Sequence, residues 1–167
     1  MVSDRINRQR LKSLEEILEI EYEKLSEFQK EIKRTSYFKA KLELQQEIKT
    51  EIIPDIRKHE AEYGQILSQL SEVSTIPENE AENTLAEIVQ VVEHIEVLPA
   101  ETYSNEMIQL LREIREKLDE PGKTAAAKLK VAFPIIPMLA SYEMEMDTEA
   151  TFTNLWQWIK SRLRDRV

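Results

Sequence analysis

The chain contains no cysteine and only two glycines among its 167 residues. Without thiols there is no disulfide framework, thiolate nucleophile, iron–sulfur cluster or cysteine zinc site, which removes the small secreted scaffolds and thiol redox enzymes. So little glycine, against an average near 7%, removes most phosphate-cradling loops and glycine-dependent active-site turns. Histidine is just as rare, with His59 and His94 alone. The first stands in HEAEY, which lacks the second histidine of an H-E-x-x-H zinc motif. Ile56 and Val91 occupy the positions three residues before the two histidines, so the E-x-x-H pairs of di-iron bundles are missing as well. No serine has a G-x-S-x-G setting. The sequence therefore offers no catalytic residue, no cofactor and no metal ligand, and the expected role is non-enzymatic.

Long apolar runs are also lacking. The most apolar stretch, Ala125 to Ala140, holds Lys128, Lys130, Pro134 and Pro137. It is shorter than the roughly 20 residues a membrane-crossing helix needs. The first 12 residues are charged where a secretory signal would be apolar, so a cytoplasmic location is expected.

Charge is present in quantity and unevenly placed, with 32 acidic and 23 basic residues giving a net −9. Glu78 to Glu120 holds 12 acids and three bases, enough to account for the whole net charge. Nucleic acid is not an expected partner, because phosphates need a concentrated basic patch. Arg5, Arg8, Arg10 and Lys12 cluster near the start, and Lys160, Arg162, Arg164 and Arg166 near the finish. The latter group suits a helix C-terminus, whose dipole favours cations.

What remains is helical periodicity. Leu11, Leu14, Leu18, Leu25, Phe28 and Ile32 recur in steps of three and four with Glu21 as the polar interruption, forming a heptad-like seam on a first helix. Thr35 and Ser36 supply a break and a cap. A second stripe then runs through Phe38, Leu42, Ile48, Ile52, Ile56, Tyr63, Ile66, Leu67 and Leu70. The short connection favours an antiparallel, coiled-coil-like hairpin over residues 1–74, although the same residues could form a seam between chains and give a homo-oligomer. Pro54 predicts a kink or break near Ile53, Gly64 a weak point, and His59 a polar seam residue that sets register.

The polar Ser71–Asn83 segment marks the boundary to a small C-terminal helical bundle over residues 75–167. There the T-x-x-E spacing of Thr84 and Glu87 predicts a capping box before a helix ending short of Pro99. Ser104 opens another helix, stopped by Pro121-Gly122. Pro134 and Pro137 interrupt a buried apolar passage. Asp147 or Thr148 caps a last helix with Phe152, Leu155, Trp156, Ile159 and Leu163 on one side. Trp158 falls off that stripe, and reads either as a partly covered surface tryptophan or as the one aromatic that touches a partner. Glu143, Glu145, Asp147 and Glu149 read as a solvated acidic approach to this helix; they lack the glycine and terminal glutamate of a calcium loop. The fold class is all-α.

The opening RLKSLEEILEIEYEKLSEFQKEI with KAKLELQQEI resembles the N-terminal coils of bacterial, especially cyanobacterial, conflict and signalling proteins attached to STAND-type NTPases. The closing AAAKLKVAFPIIPMLASYEMEMDTEATFTNLW is similar to a helical effector-associated segment of such proteins. No G-x-x-x-x-G-K-[ST] loop is present, so the resemblance implies an accessory or adaptor whose partner is a STAND-type NTPase or effector. The expected function is a helical interaction module associating through the N-terminal hairpin, with Leu11, Leu14, Leu18, Leu25, Phe28, Ile32 and Trp158 as interaction residues. The alternative is a membrane-active effector that inserts Ala125 to Val167.

Overall fold

A computed structural model of the chain describes residues 2–73, 76–146 and 149–164. These residues form eight α-helices and no strand: α1 Val2–Arg34, α2 Phe38–Glu47, α3 Ile53–Val73, α4 Glu78–Glu96, α5 Asn105–Leu118, α6 Ala125–Ala132, α7 Ile136–Glu145 and α8 Thr151–Leu163. The fold is all-α. The chain divides into two compact units, Met1–Glu60 and Ala61–Val167. That division falls inside α3, 14 residues before the boundary expected at 74/75. α3 runs through Val73 and α4 begins at Glu78, so most of the polar segment taken for a linker is helical.

In the first unit α1 is a rod of about 50 Å at 1.5 Å per residue. Asp4 in its first turn and Lys33 and Arg34 in its last suit the helix dipole. Leu11, Leu14, Leu18 and Leu25 are all buried, as the seam requires. After Arg34 the chain leaves the helix for three residues and returns as α2, which packs on α1. The cap expected from Thr35 or Ser36 is absent; extended Tyr37 occupies the position and makes no side-chain capping bond. The seam also fades toward this end. Phe28 and Ile32 are only half-buried, α2 buries no residue, and Phe38 and Leu42 are 75% and 48% exposed.

Pro54 acts on the backbone ahead of it. It has no N–H to donate to the residue four before, and the helix widens into a π-helical segment over Ile48–Ile52, which also packs on α1. Ile53 N–H then reaches Ile48 O, five residues back. The expected break is thus replaced by a widened turn, and Ile48, Ile52, Ile53 and Ile56 stay buried.

In the second unit α4 packs on α5, α6 and α8, α5 on α6 and α7, and α7 on α8. From α3, Tyr63 meets Trp156 edge-on at 6.2 Å, and Ser68 Oγ donates to Lys130 O at 2.8 Å. These ties explain why the end of α3 belongs with the later helices. At Gly64 α3 passes close against the α6–α7 turn: a Cβ there would lie 2.5 Å from Phe133 O. The two prolines split the apolar passage into α6, a three-residue turn and α7, with Pro137 in the first turn of α7, where its missing N–H costs nothing. Leu129, Phe133, Ile136 and Leu139 are fully buried.

The cap of α4 also differs from expectation. α4 starts at Pro77, whose carbonyl accepts from Glu80 N and Ala81 N, so Thr84 lies inside the helix and bonds back to Glu80 O at 3.0 Å in place of forming a capping box. Asp147 and Thr148, the expected caps of α8, lie outside the described residues. Ser104 does cap α5, accepting from Met107 N at 3.2 Å.

Candidate interaction surfaces

Three places in the fold hold chemistry beyond packing. The first is a polar brace within the seam of the first unit. Glu21 on α1 lies 2.6 Å from His59 Nδ1 on α3, and one residue on, Tyr22 donates its hydroxyl to Glu60 at 2.7 Å. His59 thus meets Glu21, the polar interruption of the α1 seam. Glu60 is 2% exposed. Burial pushes the Glu21 carboxyl above its ordinary range, against the downward pull of His59. Burial, together with Glu60, likewise raises the Tyr22 phenol, which keeps it a donor. This arrangement locks one helix against another. Among the described residues no group of three or more His, Cys, Asp or Glu could hold a metal ion.

The second place is Glu143. Expected among solvated acids, it is 1% exposed on α7. Its carboxylate accepts from Phe152 N at 2.9 Å, Thr153 N at 3.1 Å and Thr153 Oγ1 at 3.2 Å. It caps α8 from another helix, a task that Ala150, at the N-cap position, cannot perform with its own side chain. The correction has a simple cause: α7 runs through Glu145, so Glu143 and Glu145 lie on different sides of a helix, and Glu143 turns inward.

The third is a cleft of about 370 Å³ where α4 ends and α5 runs past it. Ile95, Leu98, Ala100, Ile108 and Leu111 supply apolar walls, and Arg112, Arg115, Glu96 and Glu116 supply charge. Arg115 is held by Asp119 at 3.3 Å and Glu96 at 3.8 Å. Beside the cleft Val97 is 79% exposed. Sequence periodicity passed over Val97 and Leu98 because they follow the last turn of α4. The available signal was an apolar pair, V-L, between an acid and the proline that ends the segment.

The residues expected to bind partners separate into two groups. Leu11, Leu14, Leu18 and Leu25 are buried in a single chain, so they do not present a surface to a second one. Trp158 is half-buried and lies under its own helix's Arg162, whose Cζ is 5.4 Å from the ring. Two of the C-terminal cations are similarly engaged: Lys160 lies over the Tyr63 ring at 5.1 Å, and Arg162 is 3.6 Å from Glu80. No described helix is long and apolar enough to cross a membrane. No protein-family model, curated protein or solved structure matches the chain.

Proposed function

We propose that the chain is a non-enzymatic helical interaction module that receives a basic amphipathic helix of a partner protein in the α4–α5 cleft. The observation that carries this reading is the cleft itself, apolar-walled, with exposed Val97 between its lining residues Glu96 and Leu98 in sequence, in the segment with 12 acids and three bases. An apolar anchor matches the walls, and because the two arginines and two glutamates of the lining balance, the lysines and arginines of such a helix would meet the acids of the segment outside the cleft. The sequence resemblance supports a STAND-type NTPase or attached effector as the protein bearing that helix, in a bacterial signalling or defence setting. The membrane-insertion alternative is weaker, since it requires buried Leu129, Phe133, Ile136 and Leu139 to leave the core.

A photo-crosslinking residue at Val97, introduced in the native host, tests the proposal. The expected result is one dominant adduct, joined through a basic amphipathic helix, whose yield falls about tenfold with Leu98→Asp through loss of one apolar contact. No dominant adduct, or one indifferent to Leu98→Asp, overturns it.

A further inference from the structure

The tip of the first unit has a chemistry that the interaction module does not use. The chain turns over at Tyr37 and Phe38, 79% and 75% exposed, and Leu42 follows Phe38 by one helical turn at 48% exposed. Large aromatics at a turn with no core beneath them are unusual, since burying each would release apolar area from water. Around them the charge reverses. Residues 30–41 carry five bases and one acid, Glu31, in a chain whose net charge is −9. Lys30 is drawn to Glu27 at 3.5 Å. Lys33, Arg34 and Lys39 are exposed and Lys41 is half-buried.

We propose that this tip docks on an anionic lipid bilayer, with Tyr37, Phe38 and Leu42 entering the interfacial region and Lys33, Arg34, Lys39 and Lys41 meeting the headgroups. The arrangement has the two parts that peripheral attachment needs, an apolar wedge and a cluster of cations directly behind it. The side chains of lysine and arginine can lay their methylenes along the apolar layer while keeping the charge at headgroup level. Leu42 favours lipid over single-stranded nucleic acid, because stacking on bases uses aromatic faces and gains nothing from an aliphatic chain one turn away. The acidity of the chain does not forbid the approach. Glu15, Glu16, Glu19 and Glu23 lie roughly 18–30 Å back along α1, beyond the ~10 Å over which salt screens exposed charges. Glu27, Glu31 and Glu43 are the acids near the tip; Glu27 is drawn to Lys30, and the other two are outnumbered by the remaining four cations.

The test is flotation of the full chain with phosphatidylcholine vesicles made with and without phosphatidylserine. Binding is expected only with phosphatidylserine and is expected to weaken as salt is raised. Neutralising one cation, as in Lys39→Gln, should lower the partition coefficient about fivefold. Tyr37→Ser with Phe38→Ser should lower it at least about tenfold. Both changes lie on exposed residues, so circular dichroism should report unchanged helix content. Failure to float with phosphatidylserine vesicles at low salt overturns the proposal. So does flotation indifferent to both variants, or tip-dependent binding to single-stranded oligonucleotide without binding to vesicles.

Discussion

Replacing Gly64 with alanine is expected to cost about 3 kcal/mol of stability. In an ordinary helix the same change would gain about 1 kcal/mol from helix propensity, so here the sign itself is diagnostic. The new Cβ would sit 2.5 Å from Phe133 O, 3.2 Å from Phe133 C and 3.2 Å from Pro137 Cγ. Two of those atoms are backbone in the turn between α6 and α7, and the third belongs to a ring that cannot swing aside, so relief requires shifting α3 against that turn. Such a shift disturbs Tyr63, Leu67 and Phe133, each fully buried. Gly122 provides the control. It follows α5 at φ +76° with open space around its Cβ position, so alanine there should cost only about 1 kcal/mol, from the left-handed conformation. Urea unfolding of the two variants measures both numbers. A Gly64→Ala protein more stable than wild type would mean that the close approach does not exist.

Glu143→Ala is expected to lose about 3 kcal/mol, because removing the carboxylate leaves the Phe152 and Thr153 N–H groups unpaired in a buried site. Glu143→Gln keeps one acceptor oxygen and should lose about 1 kcal/mol at neutral pH. The pH dependence shows whether burial or the N–H donors dominate this carboxyl. Burial pushes the Glu143 carboxyl above its ordinary value of 4.5, and the N–H donors from Phe152 and Thr153 pull it back only in part. A carboxyl whose native pKa is raised takes up protons on folding. Its titration therefore adds stability that is complete below the unfolded-state value and is lost as pH climbs through the native value. Wild type should accordingly gain stability relative to Glu143→Gln as pH is lowered from neutral toward 4.5. A gap that narrows over the same range would show that the charged form is the one the fold favours.

Much of this architecture was legible because helical periodicity and proline are local signals. The α1 leucines, the stop before Pro99, the Ser104 cap and the apolar face of α8 all depend on residues within a turn or two of one another. His59 facing Glu21 was half-legible: each interrupts an apolar stripe, and two interruptions in facing stripes satisfy each other. What escaped was non-local. Glu143 reads as surface because its partners lie on the next helix, at Phe152 and Thr153. Thr84 and Glu87 have the spacing of a capping box, yet Pro77 starts the helix earlier and places both inside it. Phe38 and Leu42 continue a stripe in sequence, but α1 offers only the half-buried Phe28 and Ile32 at that end, and the stripe becomes surface. Gly64 appeared to be a weak point of a helix; its meaning came from Phe133, nearly 70 residues away.

The leucine seam is buried within one chain, whereas the α4–α5 cleft and the turn between α1 and α2 are the surfaces proposed to meet other molecules. Sedimentation equilibrium of the isolated full chain tests this most directly. A single species of 19.6 kDa, unchanged as concentration rises, is the predicted result. A species of twice that mass that falls to one chain when Leu18 is replaced by Asp would contradict it, because the seam would then belong to two chains.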